Sequence, residues 1–326
     1  MHKELMMMKN QPIANQFSPD EHIVLFHGSC LDLLKQIPEH SIQLIITSPP
    51  YNIGKEYEKK LKLNDYVNQQ AEVIKECERV LTDKGSICWQ VGNYVDNGSI
   101  IPLDAVLHPV FSDLNLVMRN RIIWYFEHGL HCSRRFSGRY ETIIWYTRKV
   151  KDYVFNLDPV RVPQKYPAKK YFKGPKAGQY SCNPLGKNPG DVWDIPNVKS
   201  NHIEKTEHPC QFPVELIERL VLSMTNRDDW IFDPFVGTGT SIIAALRHGR
   251  RGAGAEIIKK YVDLAASRIQ KAIKGTLKTR PMYKPKYDPD VSRNKLAIPP
   301  WKEINQTLPD QLVIFDKNSE PTNENN

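Results

Sequence analysis

Six consecutive residues, Thr47-Ser48-Pro49-Pro50-Tyr51-Asn52, follow directly on the apolar run Ser41–Thr47. Ligands of open α/β sheets gather at the carboxyl ends of strands, so this position is informative. The residue types suit one difficult reaction. An exocyclic amine on a nucleobase is a poor nucleophile, because its lone pair is delocalised into the ring. Acceptors that draw its hydrogens out of plane localise that pair. The Ser48 hydroxyl and the Pro49 carbonyl are such acceptors. Pro49 and Pro50 stiffen the loop before a substrate arrives. Tyr51 offers a ring against which an unstacked base can lie. A stiff proline turn capped by a core tyrosine would use the same residues.

A second run, Asp233-Pro234-Phe235-Val236-Gly237-Thr238-Gly239-Thr240, sits between a short apolar run and a helical pattern. Its glycines allow a ligand close to the backbone, and the following helix start offers unpaired N–H groups. Glu256 closes the next apolar run, Arg251-Gly252-Ala253-Gly254-Ala255-Glu256. An acid at that strand end is placed to bind a ribose diol. An ordinary glycine turn and a solvated charge are the bland alternatives.

The elements that must carry these runs alternate. Strands are expected near Ile23, Ile42, Ser86, Leu116, Tyr140, Trp230 and Gly252. Between them, helices are expected around Leu31–Ile37 and over Asn64–Leu81, Leu103–Phe111, Val214–Met224, Thr240–His248 and Ile258–Lys274. The 64–81 helix carries the stripe Val67, Ala71, Ile74, Cys77 and Leu81, and Gly85 is read as the stop before the next strand. Strand alternating with helix implies a parallel sheet covered on both faces.

The chain has 326 residues, 40% hydrophobic and 25% charged, with a net charge of +8. Such values exclude wholesale disorder. No apolar run reaches the length of a membrane helix, and the N-terminus lacks a secretory pattern, so a cytoplasmic protein is expected. Six cysteines (Cys30, Cys77, Cys88, Cys132, Cys182, Cys210) show no zinc-ligand spacing, so no metal site is expected. The positive charge alone allows a polyanionic partner without requiring one.

Residues 161–190 stand apart, with seven Lys/Arg, no Asp or Glu, five Pro and four Tyr/Phe. Proline excludes a regular helix or central strand here. Lysine interleaved with aromatics suits phosphate contact and base stacking. Lys165, Lys169, Lys170 and Lys173 are candidate phosphate contacts, joined by Arg134 and Arg135 from a cluster that includes Arg119, Arg121 and Arg139. The expected organisation is an N-terminal extension (1–20), a catalytic half with the proline loop (21–150), a basic proline-rich insert (151–206), a ligand-binding half (207–280) and an extended tail (281–326).

Together the two runs resemble the beta-type amino-methyltransferases of DNA found in restriction-modification systems. In these the Ser-Pro-Pro-Tyr tetrapeptide precedes the Phe-x-Gly-x-Gly motif, here Phe235, Gly237 and Gly239. The resemblance spans about residues 21–270. His27-Gly28 resembles the family's third motif, with Ser29 where an Asp is usual. His208-Pro209-Cys210-Gln211-Phe212-Pro213 resembles its tenth. The resemblance implies a Rossmann-like α/β fold, a seven-stranded mixed sheet with one antiparallel strand, here Tyr140–Thr147, and an inserted DNA-recognition lobe. It implies S-adenosyl-L-methionine as cofactor, held by Asp233, Phe235, Gly237, Gly239, Glu256, Phe212, Pro213 and Ser29. Ser48, Pro49, Pro50 and Tyr51 become the catalytic set, and the implied partners are double-stranded DNA and a restriction endonuclease acting on the same site without stable association. Serine at position 48 is the form typical of cytosine-N4 enzymes, with adenine N6 the alternative. From other classes, a non-catalytic DNA-binding module or a methyltransferase for protein or small-molecule amines would share parts of this pattern. A nucleophilic Cys210 is disfavoured, because it precedes Phe235.

Overall fold

The computed structural model describes residues 11–286, apart from 55–57, 59, 128 and 130. Met1–Lys284 forms one compact unit, and Pro285–Asn326 forms a second that falls almost wholly outside the described residues. The expected tail beyond 286 and the extension before 11 therefore lie outside them too.

In chain order the strands are β1 (Ile23–His27), β2 (Ile42–Thr47), β3 (Leu81–Val91), β4 (Asn93–Asp96), β5 (Ser99–Pro102), β6 (Val117–Tyr125), β7 (Tyr140–Thr147), β8 (Val192–Asp194), β9 (Trp230–Asp233) and β10 (Arg251–Glu256). The helices are α1 (Cys30–Leu34), α2 (Leu63–Val80), α3 (Leu103–Asp113), α4 (Val214–Met224), α5 (Thr240–Arg247) and α6 (Lys259–Ile273). Eight strands form one sheet in the order β1-β10-β9-β2-β3-β7-β6-β8. Within that sheet β7 runs antiparallel to both β3 and β6 and the other pairings are parallel, so the reversed strand is the expected one.

Period-two alternation sorts the sheet's side chains onto two faces. Ile23, Leu25, Leu44, Ile46 and Ile231 pack with α4, α5 and α6. Val24, Ile45, Ile87, Trp89, Phe232 and Ala255 pack with α1, α2 and α3. The result is helix, sheet, helix in three layers.

Four expectations need correction. The sheet has eight strands, because Val192–Asp194 pairs with β6 (Ile123↔Val192 to Tyr125↔Asp194). The insert is accordingly narrower than 151–206. Trp193, Ile195 and Val198 are core residues, and Phe155 stacks on Trp145 at 5.5 Å. Residues 161–190 form the true excursion, tied at its base by the Val162↔Lys187 bridge and further out by Lys170↔Tyr180. On α2, Tyr66, Gln70, Val73, Ile74, Cys77 and Val80 are the buried residues, while Val67 and Ala71 are only half-buried. The helix stops at Val80, and Gly85 lies inside β3. Finally, residues 11–20 do not stand apart from the catalytic half as a separate extension, since Ala14 bridges Val24 and Phe17 packs on Trp230 at 5.0 Å.

Candidate active site

The chain reverses its direction of sheet growth between β2 and β9. From β9 the strands proceed to β10 and β1, and from β2 to β3, β7, β6 and β8. Ligand crevices open at such switch points. Leu44 and Ile45 pair with Ile231 and Phe232, so the loops that leave β2 and β9 emerge side by side. Those are the Ser48 loop and the Gly237 turn.

One buried carboxylate fastens the two loops together. Asp233 is fully buried. It accepts hydrogen bonds from the Thr47 hydroxyl at 2.6 Å, the Ser241 hydroxyl at 2.6 Å and the Phe235 N–H at 3.0 Å. Burial pushes its pKa up to about 6 against the pull of those three donors. Asp233 is therefore not a wall of the cleft, as the sequence suggests, but a clamp behind it. Gly239 is corrected in the same way. It caps α5 with φ +77°, and a Cβ there would meet Ala265 and Ile269 of α6 rather than the cleft. Pro213 caps α4 and does not line the cleft either.

The cleft itself holds about 200 Å³. Ser29, Phe212, Phe235, Gly237 and Glu256 line it, together with Ser48, Pro49, Pro50 and Tyr51. Gly237 has φ +50°, and a Cβ there would face His208 Nε2 at 3.5 Å across the cleft. Ser29 caps α1, accepting the Leu31 N–H at 3.3 Å. Glu256 ends β10 and accepts the Ile258 N–H at 2.8 Å. Burial pushes its carboxyl above the usual range, opposed by backbone N–H groups at Ile258, Gly237 and Ile257. Apolar walls from Phe212, Pro234, Phe235 and Ile257, with a carboxylate at one end, fit a flat purine joined to a ribose diol. Those residues suit an adenosyl group.

A second cleft of about 120 Å³ opens on the far side of Ser48. Ser48, Tyr51, Cys210 and Phe212 line both spaces. Among the remaining walls, Trp124, Phe126, Gln90, Glu141 and Lys199 were not found from the sequence. Trp124 and Phe126 meet edge-on with centroids 5.1 Å apart, giving apolar faces for a flat ring. The Tyr51 hydroxyl lies 3.1 Å from Ser48 Oγ and donates to Glu141 Oε2 at 3.2 Å. Gln90 donates its side-chain amide to the same oxygen. A Cβ at Gly92 would come within 3.1 Å of the Tyr51 ring, so backbone closes on the ring from that side. The tyrosine is held at ring and hydroxyl alike. Burial beside Glu141 holds its phenol well above the usual range, so it keeps its proton.

A further buried carboxylate, Glu204, fixes the segment that closes both clefts. It accepts from the N–H groups of Val214 at 2.9 Å and Arg280 at 3.0 Å, while its carbonyl accepts from Gln211 at 3.0 Å. His208, 8% exposed, packs against Tyr261 at 4.4 Å.

Lys165, Lys169, Lys170 and Lys173 are all exposed on the 161–190 excursion. Lys165 lies over Tyr166 at 5.6 Å, Lys170 over Tyr180 at 5.2 Å and Lys173 over Phe172 at 5.9 Å. Arg134 and Arg135 are exposed in the β6–β7 loop beside Phe136, which is 99% exposed. Arg119 and Arg121 do not join them. They lie on β6, where Arg121 pairs with Asp104 of α3 and Arg119 stacks on Tyr153 at 4.9 Å. Among the described residues no group of His, Cys, Asp and Glu could hold a metal ion, and no helix is long and apolar enough to cross a membrane.

Residues 42–267 match the model of the N6/N4 family described as DNA methylase. The chain is 50% identical over 249 residues to the type II methyltransferase M.BglII of Bacillus subtilis, covering 76% of this chain and 69% of that one. The fold matches the PvuII cytosine-N4-specific DNA methyltransferase with a TM-score of 0.62 at 20% identity, over 82% of this chain and 93% of that one. It also matches TTHA0409 of Thermus thermophilus, solved in complex with S-adenosyl-L-methionine. That TM-score is 0.54 at 26% identity, over 77% of this chain and 94% of that one.

Proposed function

The chain belongs to the N6/N4 DNA methylase family and is an S-adenosylmethionine-dependent DNA methyltransferase, and we propose that it methylates the N4 amine of cytosine at a specific duplex site. The observation that carries the reading is the shared wall: Ser48 and Tyr51 face both clefts at once. A group held in one is thereby presented to a group held in the other.

S-adenosylmethionine, when bound, supplies a methyl group attached to a positively charged sulfur. Glu256 would take the ribose hydroxyls, Gly237 would let the chain approach closely, and Ser29, Phe235 and Phe212 would wall the rest. The target base would leave the DNA stack and enter the smaller cleft between Trp124, Phe126 and the Ser48 loop. There Ser48 Oγ and the Pro49 carbonyl would accept the amine's two hydrogens and turn its lone pair toward the cofactor cleft. The rigid loop fixes this geometry in advance, where the effect on rate is largest.

The exposed lysines of the excursion, with Arg134 and Arg135, would bind phosphates along the duplex. Phe136 and Phe172, 99% and 90% exposed, stand among them as stacking faces.

Serine at position 48 supports the cytosine reading. A hydroxyl orients an amine without acting as a strong base, whereas the Asp or Asn of adenine enzymes is a differently shaped acceptor. Nucleoside mass spectrometry of plasmid DNA from cells expressing the protein tests the base. N4-methylcytosine is expected, and N6-methyladenine as the sole product would overturn the choice of base while leaving the reaction. Ser48→Ala should lose most turnover yet bind S-adenosylmethionine as before in calorimetry. Full activity in that variant would reduce the loop to a stiff turn.

A further inference from the structure

Resting on that reading, we propose that Ser48, Tyr51 and Glu141 form a proton relay that orients the Ser48 hydroxyl before methyl transfer and carries the amine's proton away after it. Three oxygens stand in line: Ser48 Oγ, then the Tyr51 hydroxyl at 3.1 Å, then Glu141 Oε2 at 3.2 Å. The direction of each hydrogen follows from the last member. An ionised carboxylate can only accept. The Tyr51 hydrogen must therefore point at Glu141, which leaves the Tyr51 oxygen to receive the Ser48 hydrogen. The Ser48 lone pairs are then left for an N–H of the amine. Gln90, donating to the same carboxylate oxygen, holds Glu141 in place from β3. Cross-strand pairing sets Glu141 opposite Trp124, a wall of the base cleft. The relay is thus built from the β2 loop and β7 and braced from β3.

The chemistry closes along this line. The amine nitrogen uses its lone pair to form the bond to the methyl carbon. The bond between that carbon and sulfur breaks with its electron pair remaining on sulfur. The nitrogen is now positively charged and acidic. Its proton passes to Ser48 Oγ, the Ser48 proton to Tyr51 and the Tyr51 proton to Glu141, which becomes a neutral acid. Both hydroxyls end as they began, and one proton has moved from base to carboxylate. Glu141 lines the base cleft, so departure of the product opens it to water for release of that proton.

Glu141 acts through Tyr51 and Ser48 and is a positioning residue as well as the end of the path. The groups facing it are Tyr51 and Ser48 from the β2 loop, Gln90 from β3 and Lys199 after β8, with Cys210 near Tyr51. Burial pushes its carboxyl up, while the bonds from Tyr51 and Gln90 and the charge of Lys199 pull it down, with burial dominant. A carboxylate raised in this way is the better proton acceptor, and it disables the relay in acid by protonating early.

The test compares Glu141→Gln, Glu141→Asp, Tyr51→Phe and the double Tyr51→Phe/Glu141→Gln variant on plasmid DNA, from pH 5 to 9. For Glu141→Gln, kcat should fall about 10²-fold, with unchanged affinity for S-adenosylmethionine and an unchanged melting temperature. Its pH profile should lose the acid limb that the wild type shows. Glu141→Asp should recover part of the rate and restore that limb. Because the members act in one line, the double variant should be no slower than the slower single one. Wild-type kcat and pH profile in Glu141→Gln, or multiplying losses in the double variant, would overturn the relay. A wild-type enzyme that methylates no DNA base at all would instead overturn the reading on which it rests.

Discussion

Asp233 shows how a residue can be read correctly as part of a motif and wrongly as to its partner. Its place before Pro234-Phe235 in the glycine turn is plain in the sequence, and the family resemblance suggests a cofactor contact. The structure gives it Thr47, Ser241 and the Phe235 N–H instead. Thr47 lies 186 positions away, and no local pattern could have paired them. A carboxylate buried with its pKa raised to about 6 has a definite consequence for stability. The raised value means the folded state holds the proton more tightly than the unfolded chain. Its stabilising effect is complete below about pH 4 and is lost as pH rises through about 6. Asp233→Asn removes the titration. As pH falls from about 7 to about 4, the wild type should therefore gain stability relative to this variant, by about 2 kcal/mol. Denaturant melts at a series of pH values check this. A constant gap between the two proteins would mean that Asp233 titrates normally.

Among the elements, those with long and regular apolar patterns were legible. β7 and α4 lie where their sequences place them, because their periodicities are clean and their ends marked. β8 was hidden, since three residues among prolines and glycines carry no pattern, and only pairing with β6 makes them a strand. The β4–β5 hairpin was legible but passed over. Asn97-Gly98 has positive φ at both positions, the turn that two-residue hairpins favour. Glu141 was missed for a different reason: it becomes part of the site only through register with Trp124 and proximity to Tyr51. One glycine shows how tightly the elements around the cofactor cleft are drawn together. A Cβ on Gly254 of β10 would lie 2.8 Å from the Asp233 carbonyl oxygen and 2.8 Å from Val236. Gly254→Ala should push the Phe235–Gly237 turn away, costing about 1–3 kcal/mol of stability and weakening S-adenosylmethionine binding. Denaturant unfolding with calorimetry measures both. If neither changes, β10 does not press on the turn.

Across the whole molecule, charge and chemistry are divided. The net charge of +8 has one concentrated source in the 161–190 excursion, which holds seven cations and no acids. The sheet and its two helical layers hold the clefts. Several lysines of the excursion lie over aromatic rings, so their stems are ordered before DNA arrives. Replacing Lys165, Lys169, Lys170 and Lys173 one at a time by alanine should weaken binding to every DNA sequence alike. Each should also lower the slope of log affinity against log salt by about one unit. Gel shifts over a range of salt concentrations provide the measurement, and slopes equal to that of the wild type would remove these lysines from the phosphate contacts.

The wall common to both clefts has a bearing on how this molecule could be inhibited. Ser48, Tyr51, Cys210 and Phe212 separate two small rooms without sealing one from the other. A base-like fragment and an adenosine-like fragment, each a weak occupant alone, could be tethered by a linker only a few atoms long. The second fragment would then bind at the high effective concentration set by the first, and the pair would hold far more tightly than either part without one additional contact.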